Sequence, residues 1–416
     1  MEKHAARTKR SVIQLLKKEG LAVVLMFLVW RTALFGIGSL ADTFLSYLPT
    51  FPYAETLLTK YDLPRWLYSW ANFDGVHYLT IAEKGYVGTG LIQAFFPLFP
   101  HLILRTLFLL SQGTLNTLAA GLVISNLFAL VAVLAWYGFL RELYDQRKAL
   151  LGVSILLLFP TSLFFGALYT EALFFLCAVG SFWAARRQVW WAASLFTLAA
   201  AATRIVGIFL VPALLIELWQ QHTVGQAKKT VPQLLSSFIR SRVSHILLIS
   251  LGWLGLIGYM IYLQLTFGDA LYFLHVQSEF GAGRQEGIVL YPQVLWRSIK
   301  ILLTVEPNSW RYYTVVLEFL AGSLGLAGLA YAGWHALRGG VIRVSYVIFA
   351  LGAFLLPTLT GTFSSMPRYI MICFPLYLIL IEWTADRAWA RAALFMIFTL
   401  GLLINTVLFI QGYWLS

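Results

Sequence analysis

Residues 70–86 read Trp70-Ala71-Asn72-Phe73-Asp74-Gly75-Val76-His77-Tyr78-Leu79-Thr80-Ile81-Ala82-Glu83-Lys84-Gly85-Tyr86, a polar island in a very apolar chain. Within it, Asp74, His77 and Tyr78 bring an acid, an imidazole and a phenol close together. A helix starting at Asp74 puts them at i, i+3 and i+4, on one face. The island follows the first membrane-length apolar segment, so it is expected at a membrane–water boundary. Anchoring a helix at the headgroups explains its Trp, Tyr and His. It does not explain Asp74, because a carboxylate there is costly unless it is used.

The surrounding 416 residues are 60% hydrophobic and 16% aromatic, only 12% are charged, and the mean hydropathy is +0.77. Average soluble chains are about 25% charged, and no soluble core hides this much apolar surface. The apolar runs are long and do not alternate, which excludes a membrane barrel. The expected class is therefore an all-α polytopic membrane protein. A net charge of +12 does not imply nucleic acid, since most Lys and Arg fall in short loops, where they set topology. Cys177 and Cys373 lie inside apolar runs and read as small core residues, not as a disulfide or a metal site. No cleavable signal peptide is expected, because the first apolar run is too long for one.

Basic residues decide the path. Residues 1–20 carry Lys3, Arg7, Lys9, Arg10, Lys17 and Lys18 and are expected in the cytoplasm. The first span is 21–40, with Arg31 inside it. The segment 95–110 carries Pro97, Pro100, His101 and Arg105 and suits a shallow or re-entrant helix. If it crossed, Arg141, Arg147 and Lys148 would lie outside. With it non-crossing, they and every later basic loop lie inside.

The further expected spans are 118–140, 149–167, 172–185, 190–203, 205–219, 246–267, 312–337, 345–360, 370–383 and 392–414. That makes about eleven spans in one membrane domain over 1–416, with the N-terminus inside and the C-terminus outside. The first outer loop is 41–116, with interfacial helices, and the second is 268–311. A basic inner loop is expected over 220–244, with Lys228, Lys229, Arg240 and Arg242.

This topology sorts the polar residues. Asp74, His77, Glu83, Glu171, Arg204, Asp269, His275, Arg284, Arg311 and Arg368 all fall at the outer face. A transporter places its key groups near the midplane, often in two related halves, and neither feature is visible. A scaffold subunit makes no demand for Asp74 or the arginines. An acid near a surface serves as a general base toward a hydroxyl. Arginines suit a phosphate leaving group, and apolar grooves suit a lipid tail. Together they describe group transfer from a lipid-linked phosphate to a hydroxyl. No nucleotide-binding signature is present.

Several stretches, in order, resemble one family. Trp70…Phe73-Asp74-Gly75-Val76-His77-Tyr78…Ile81-Ala82…Gly85-Tyr86 resembles the first outer-loop motif of the PIG-V family, the GPI mannosyltransferase II enzymes and their prokaryotic relatives. Phe95-Phe96-Pro97-Leu98-Phe99-Pro100 is similar to the next motif, and Phe159-Pro160-Thr161…Tyr169-Thr170-Glu171 to a Pro-then-Tyr-Thr/Ser-Glu segment. Thr203-Arg204-Ile205-Val206-Gly207 resembles a Thr-Arg-x-x-Gly segment, and Pro367-Arg368-Tyr369 with Phe374-Pro375 a late Arg-Tyr motif. Phe73 stands where the family often has Trp. Val206-Gly207 stands where eukaryotic members favour Asn-Gly. The modest loops are of prokaryotic type.

The resemblance implies a GT-C fold and an inverting glycosyltransferase of the cell membrane. It implies a polyprenyl-phosphate sugar donor, with mannose as the sugar, and a glycan or glycolipid hydroxyl as acceptor. The first outer-loop acid, Asp74, becomes the expected base. His77 and Tyr78 then orient it or bind sugar, and Glu171 is a second acid. Arg204 and Arg368, with Tyr369 and with Arg284 or Arg311, meet the phosphate. Each residue also has a plainer role. Asp74 is a favoured N-cap, Glu171 caps or pairs, and the arginines snorkel at helix ends. Gly281 and Gly283 flank a loop with Arg284 and Glu286 that suits closure over a donor. Arg31 and Glu318 lie within spans, as an ion pair or as cavity residues. Asp74, His77 and Glu171 lack compact metal-ligand spacing, so no cofactor is expected.

Overall fold

In lipid, only a hydrogen-bond ladder internal to the segment satisfies the backbone of a single span, so long apolar runs become helices. The computed structural model describes residues 12–51, 54–86, 91–226, 230–280, 283–285 and 287–415, the side chains of 12–18, 55 and 280 excepted. Lys3, Arg7, Lys9, Arg10, Lys228, Lys229, Gly281 and Glu286, and the side chains of Lys17 and Lys18, lie outside the described residues. Among those described there is no strand.

The principal helices are α1 (Val12–Leu40), α2 (Asp74–Lys84), α3 (Thr117–Leu143), α4 (Gln146–Leu158), α5 (Glu171–Arg186), α6 (Trp190–Thr203) and α7 (Leu210–Thr223). They continue with α8 (Val231–Ser250), α9 (Leu254–Phe267), α10 (Tyr291–Thr304), α11 (Trp310–Leu337) and α12 (Val344–Thr358). The last three are α13 (Met366–Ile372), α14 (Pro375–Thr384) and α15 (Ala388–Ile410).

Polar caps start several of them. Asn116 accepts the Ala119 N–H at 3.0 Å, Asp145 that of Lys148 at 2.9 Å, and Ser309 that of Tyr312 at 3.2 Å.

The chain is an integral multi-pass membrane protein. Among the described residues, six helical stretches are long and apolar enough to cross: Glu19–Thr43, Thr117–Leu143, Ile205–Thr223, Val231–Phe267, Trp310–Leu337 and Ala388–Ile410. The helices α13 and α14 meet at 75° and make a seventh if they form one broken span. Pro375 opens the second half, and a proline has no N–H to continue the ladder. The other four expected spans fall on the shorter helices α4, α5, α6 and α12. Leu98–Leu110, expected not to cross, is also short and opens with a wide π-type turn.

The expected inner loop is largely helical instead. Thr230 and Gln233 form a capping box at the start of α8, so the helical run continues from Val231 to Phe267 over 37 residues. That is about 55 Å at 1.5 Å per residue, against about 30 Å of hydrocarbon.

Two compact units are present. One comprises Met1–Leu79, Gln112–Leu176 and Tyr377–Leu415, the other Thr80–Ser111 and Cys177–Leu376. In the first, α1, α3, α4 and α15 pack together. Arg31 is buried in this unit, although it sits in a span. Its Nη2 donates to the Gly166 carbonyl at 2.7 Å, and the guanidinium lies 3.8 Å and 4.1 Å from the Phe35 and Trp70 ring centroids. Both ring faces attract the cation. Arg141, expected as a topological charge, is also paired, with its Nε 2.8 Å from Glu19.

In the second unit α6 lies on α9. A Cβ on Gly255 would stand 2.3 Å from the Leu198 carbonyl oxygen, so only glycine permits this backbone approach. Arg343 pairs with the buried Glu217, whose second oxygen accepts from Ser345 at 2.7 Å.

Candidate active site

In the first unit the site begins at a strained turn. Ser69–Ala71 makes one tight helical turn, Phe73 adopts φ +58°, and Asp74 opens α2. A left-handed bulky residue costs about 1–2 kcal/mol. Several contacts hold it in place. The Asn72 amide donates to the Phe409 carbonyl at 2.8 Å, at the end of α15. The Phe73 ring lies 4.5 Å from Phe51, 5.9 Å from Phe409 and 5.3 Å from Trp414, centroid to centroid. Residues 411–412, just after α15, are held at this place by pairing with segment 48–50. The Leu48 N–H donates to the Gln411 carbonyl, and Thr50 N–H to that of Gly412, each at 2.9 Å.

Tyr169 spans the turn. Its hydroxyl donates to the Asn72 carbonyl at 2.9 Å and accepts the Asp74 N–H at 3.2 Å. The Leu168 N–H donates to the Trp70 carbonyl at 2.9 Å, so segment 168–169 is stitched to both sides of Phe73. Gly75 suits the tightness of the turn itself, since a Cβ there would lie 3.1 Å from the Ala71 Cβ. Next along, Tyr78 Oη and Thr170 Oγ1 are 3.4 Å apart, and the Tyr78 and Tyr169 rings meet edge-on at 6.1 Å. Thr170 leads directly into Glu171, which is fully buried and opens α5. The positive end of a helix favours a carboxylate at that position.

Asp74, His77 and Tyr78 thus share α2, and Tyr169 and Thr170 link it to the start of α5. Asp74 and His77 are half-buried, whereas Tyr78 is buried. Burial holds the His77 imidazole below its ordinary range, and the Asp74 charge opposes this. A neutral imidazole results at neutral pH, able to donate one hydrogen bond and accept another.

The second unit holds the arginines. The chain breaks between α6 and a short turn over Ile205–Phe209, and Arg204 sits at the break in extended conformation. Its guanidinium lies 5.0 Å from the Tyr369 ring centroid. Gly207 seats the turn against α6, since a Cβ would come within 2.4 Å of the Ala200 carbonyl carbon. Arg368, buried, lies one residue before Tyr369 on α13, whose preceding residue Ser365 is left-handed at φ +65°.

Segment 284–289 runs beside residues 359–360, just before this turn. The Gln285 and Val289 N–H groups donate to the carbonyls of Thr360 and Leu359, both at 2.9 Å. Arg284 donates to Gln277 at 3.2 Å. Arg311 is exposed at the start of α11 and packs over Trp310, 5.6 Å from its ring centroid. Asp269 and His275, both expected at the outer face, pair with each other at 2.6 Å, which holds the Asp269 carboxyl below its usual range.

Sequence reasoning singled out Asp74 without the residues that hold it. Tyr169 and Asn72 lay inside the quoted motifs, but their bonds join segments far apart in the chain. Phe409 lay in a run that read as an ordinary span. The left-handed state of Phe73 carries no sequence signal, because glycine is the usual sign of that conformation.

The sequence matches the family model of mannosyltransferase (PIG-V) over residues 21–275. No curated protein sequence matches the chain. Among solved structures, the oligosaccharyltransferase of Archaeoglobus fulgidus tethered with an acceptor peptide is similar with a TM-score of 0.45 and 12% identity, covering 96% of this chain. The apo form of that protein gives 0.44 and 14% over 94%. In both comparisons the match spans 56% of the oligosaccharyltransferase chain, little more than half its length.

Proposed function

Because the chain belongs to the PIG-V mannosyltransferase family and is thus a membrane glycosyltransferase, we propose that it moves mannose from a polyprenyl-phosphate donor to a hydroxyl of a glycan or glycolipid, with inversion, in the manner of the GT-C class. The observation that carries this reading is the turn at Asp74. A strained backbone, two anchoring side chains and an aromatic clamp hold one carboxylate at the start of a short helix. Such over-determined geometry is the mark of a group that must not move.

In the proposed step, an Asp74 carboxylate oxygen takes the proton of the acceptor hydroxyl. The acceptor oxygen, so deprotonated, attacks the anomeric carbon from the face opposite the phosphate. The bond from anomeric carbon to phosphate oxygen breaks, and its electron pair leaves with the polyprenyl phosphate. Arg204 and Arg368, with Arg284 or Arg311, stabilise the charge gathering on the phosphate, and Tyr369 supports Arg204 from beneath. His77 and Tyr78 orient Asp74 or bind sugar hydroxyls, and Glu171 positions the acceptor. The Lys and Arg distribution supports a cytoplasmic N-terminus and a site on the outer face of the cell membrane.

Membranes holding wild type or Asp74→Asn at matched expression, given polyprenyl-phosphate mannose and endogenous lipid, test the reading. Transfer by wild type that falls at least 100-fold in the variant supports it. Equal transfer by both refutes Asp74 as the base. No metal is required by this step, so transfer by wild type should persist in EDTA, and its loss there would refute that part.

A further inference from the structure

Glu318 lies within the α11 span, where a carboxylate is costly and therefore worth explaining. Its Oε1 accepts the backbone N–H of Ser365 at 3.2 Å. Ser365 is the left-handed residue that starts α13, and its own carbonyl accepts the N–H groups of Arg368 at 3.0 Å and Tyr369 at 3.3 Å. The Glu318 carboxylate therefore holds the N–H of the one residue whose carbonyl starts the Arg368–Tyr369 turn. The carboxylate is also within electrostatic reach of the Arg284 guanidinium.

Around it segment 285–297 is sewn to residues 359–361, which lead into that turn. Besides the Gln285 and Val289 bonds, Arg297 donates to the Gln285 side chain at 3.1 Å and to the Gly361 carbonyl at 3.5 Å. Tyr291 Oη donates to the Gly322 carbonyl, one helical turn beyond Glu318, at 3.1 Å. All of these residues belong to the second unit.

We infer that Glu318 is a positioning residue for the donor-phosphate side of the site. It fixes the backbone that presents Arg368 and Tyr369, and it aims Arg284 from the second outer loop. This rests on the reading of those arginines as phosphate-binding. Arg284 and the Arg368–Tyr369 turn are carried on separate segments, and a carboxylate that attracts the one and bonds the backbone of the other sets their spacing in advance of the ligand. The carboxylate does this through one hydrogen bond to the Ser365 N–H and through its charge toward the guanidinium.

The test is a double-mutant cycle of Glu318→Gln and Arg284→Gln in the full chain, with transfer from polyprenyl-phosphate mannose as one readout. The glutamine keeps an acceptor for Ser365 and removes the charge. Each single variant should raise the donor KM about tenfold with a smaller fall in kcat, and the double variant should be no worse than Arg284→Gln alone. The second readout does not need activity. Tryptic cleavage after Arg284, followed by mass spectrometry in intact membranes, should speed up severalfold in Glu318→Gln, with cleavage after Arg311 unchanged as the internal reference.

Additive KM effects, or cleavage after Arg284 that Glu318→Gln leaves unchanged, overturn the inference. A wild type that transfers nothing sinks the donor reading, while the cleavage result still decides the role of Glu318. If Glu318→Gln fails to accumulate, Glu318→Asp takes its place in both readouts. Failure of both to fold would mark Glu318 as structural and overturn the positioning role.

Discussion

Removing one hydroxyl, in Tyr169→Phe, probes how the Asp74 turn is held. The ring contacts of Tyr169 with Phe164, Tyr78 and Phe409, at 5.0, 6.1 and 5.8 Å, survive the change. Two hydrogen bonds do not, the 2.9 Å bond to the Asn72 carbonyl and the 3.2 Å bond from the Asp74 N–H. The carbonyl keeps only a long bond from the Gly75 N–H at 3.4 Å. A typical hydrogen bond contributes about 0.5–1.5 kcal/mol, so the pair is worth about 1–3 kcal/mol. The strain of left-handed Phe73, of similar size, then opposes the native turn with less to offset it.

If about 1–2 kcal/mol of this is lost from the transition state, kcat falls about 5–30-fold. The assay is transfer by purified protein, as kcat and donor KM, with thermal stability measured in parallel. The decisive comparison uses the Asp74→Asn background. A group that acts through Asp74 should cost little more once Asp74 is lost, since residues in one network are not additive. A folded Tyr169→Phe variant with kcat within twofold of wild type refutes the reasoning. So does an equal loss in both backgrounds.

At Phe73, the φ of +58° reverses the usual ranking of small residues. Both truncations lose the aromatic clamp and destabilise by about 3 kcal/mol, but Phe73→Gly should remain about 1 kcal/mol more stable than Phe73→Ala because it relieves the backbone, as thermal unfolding would show. Gly207→Ala drives a methyl into the α6 backbone and should cost about 1–3 kcal/mol, with a rise in donor KM as Arg204 shifts; unchanged stability would mean that the two segments separate easily. The His77 imidazole is held below its unfolded value, so the unfolded chain binds more protons, and stability is present above pH 6.5 and lost as pH falls below it. His77→Asn should flatten that acid-side loss in unfolding experiments between pH 7 and 5, and an unaltered profile would show that His77 does not carry it.

Composition by itself determined the class of molecule, because 60% hydrophobic residues and 12% charged ones leave no soluble solution. Helix type and the places of most helices followed from apolar runs and basic punctuation, since lipid allows a lone segment only one way to satisfy its backbone. The ordered motifs marked Asp74, Glu171, Arg204 and Arg368, and the family match covers the first three of these positions.

What remained hidden was long-range. Arg31 was expected to find a polar cavity or a charged partner and instead rests on a carbonyl and two aromatic faces, a solution that charge arithmetic does not suggest. The loop expected over 220–244 became helix from Val231, where a capping box starts the run and Arg240 and Arg242, which had marked a loop, are themselves good helix formers. Tyr169, Asn72, Phe409 and Glu318 gained their roles only in the folded chain, where hydrogen bonds span 97, 337 and 47 positions of sequence. Periodicity reports which face of a helix is apolar. It cannot report which distant carbonyl will meet a hydroxyl, because that is settled by how whole helices pack.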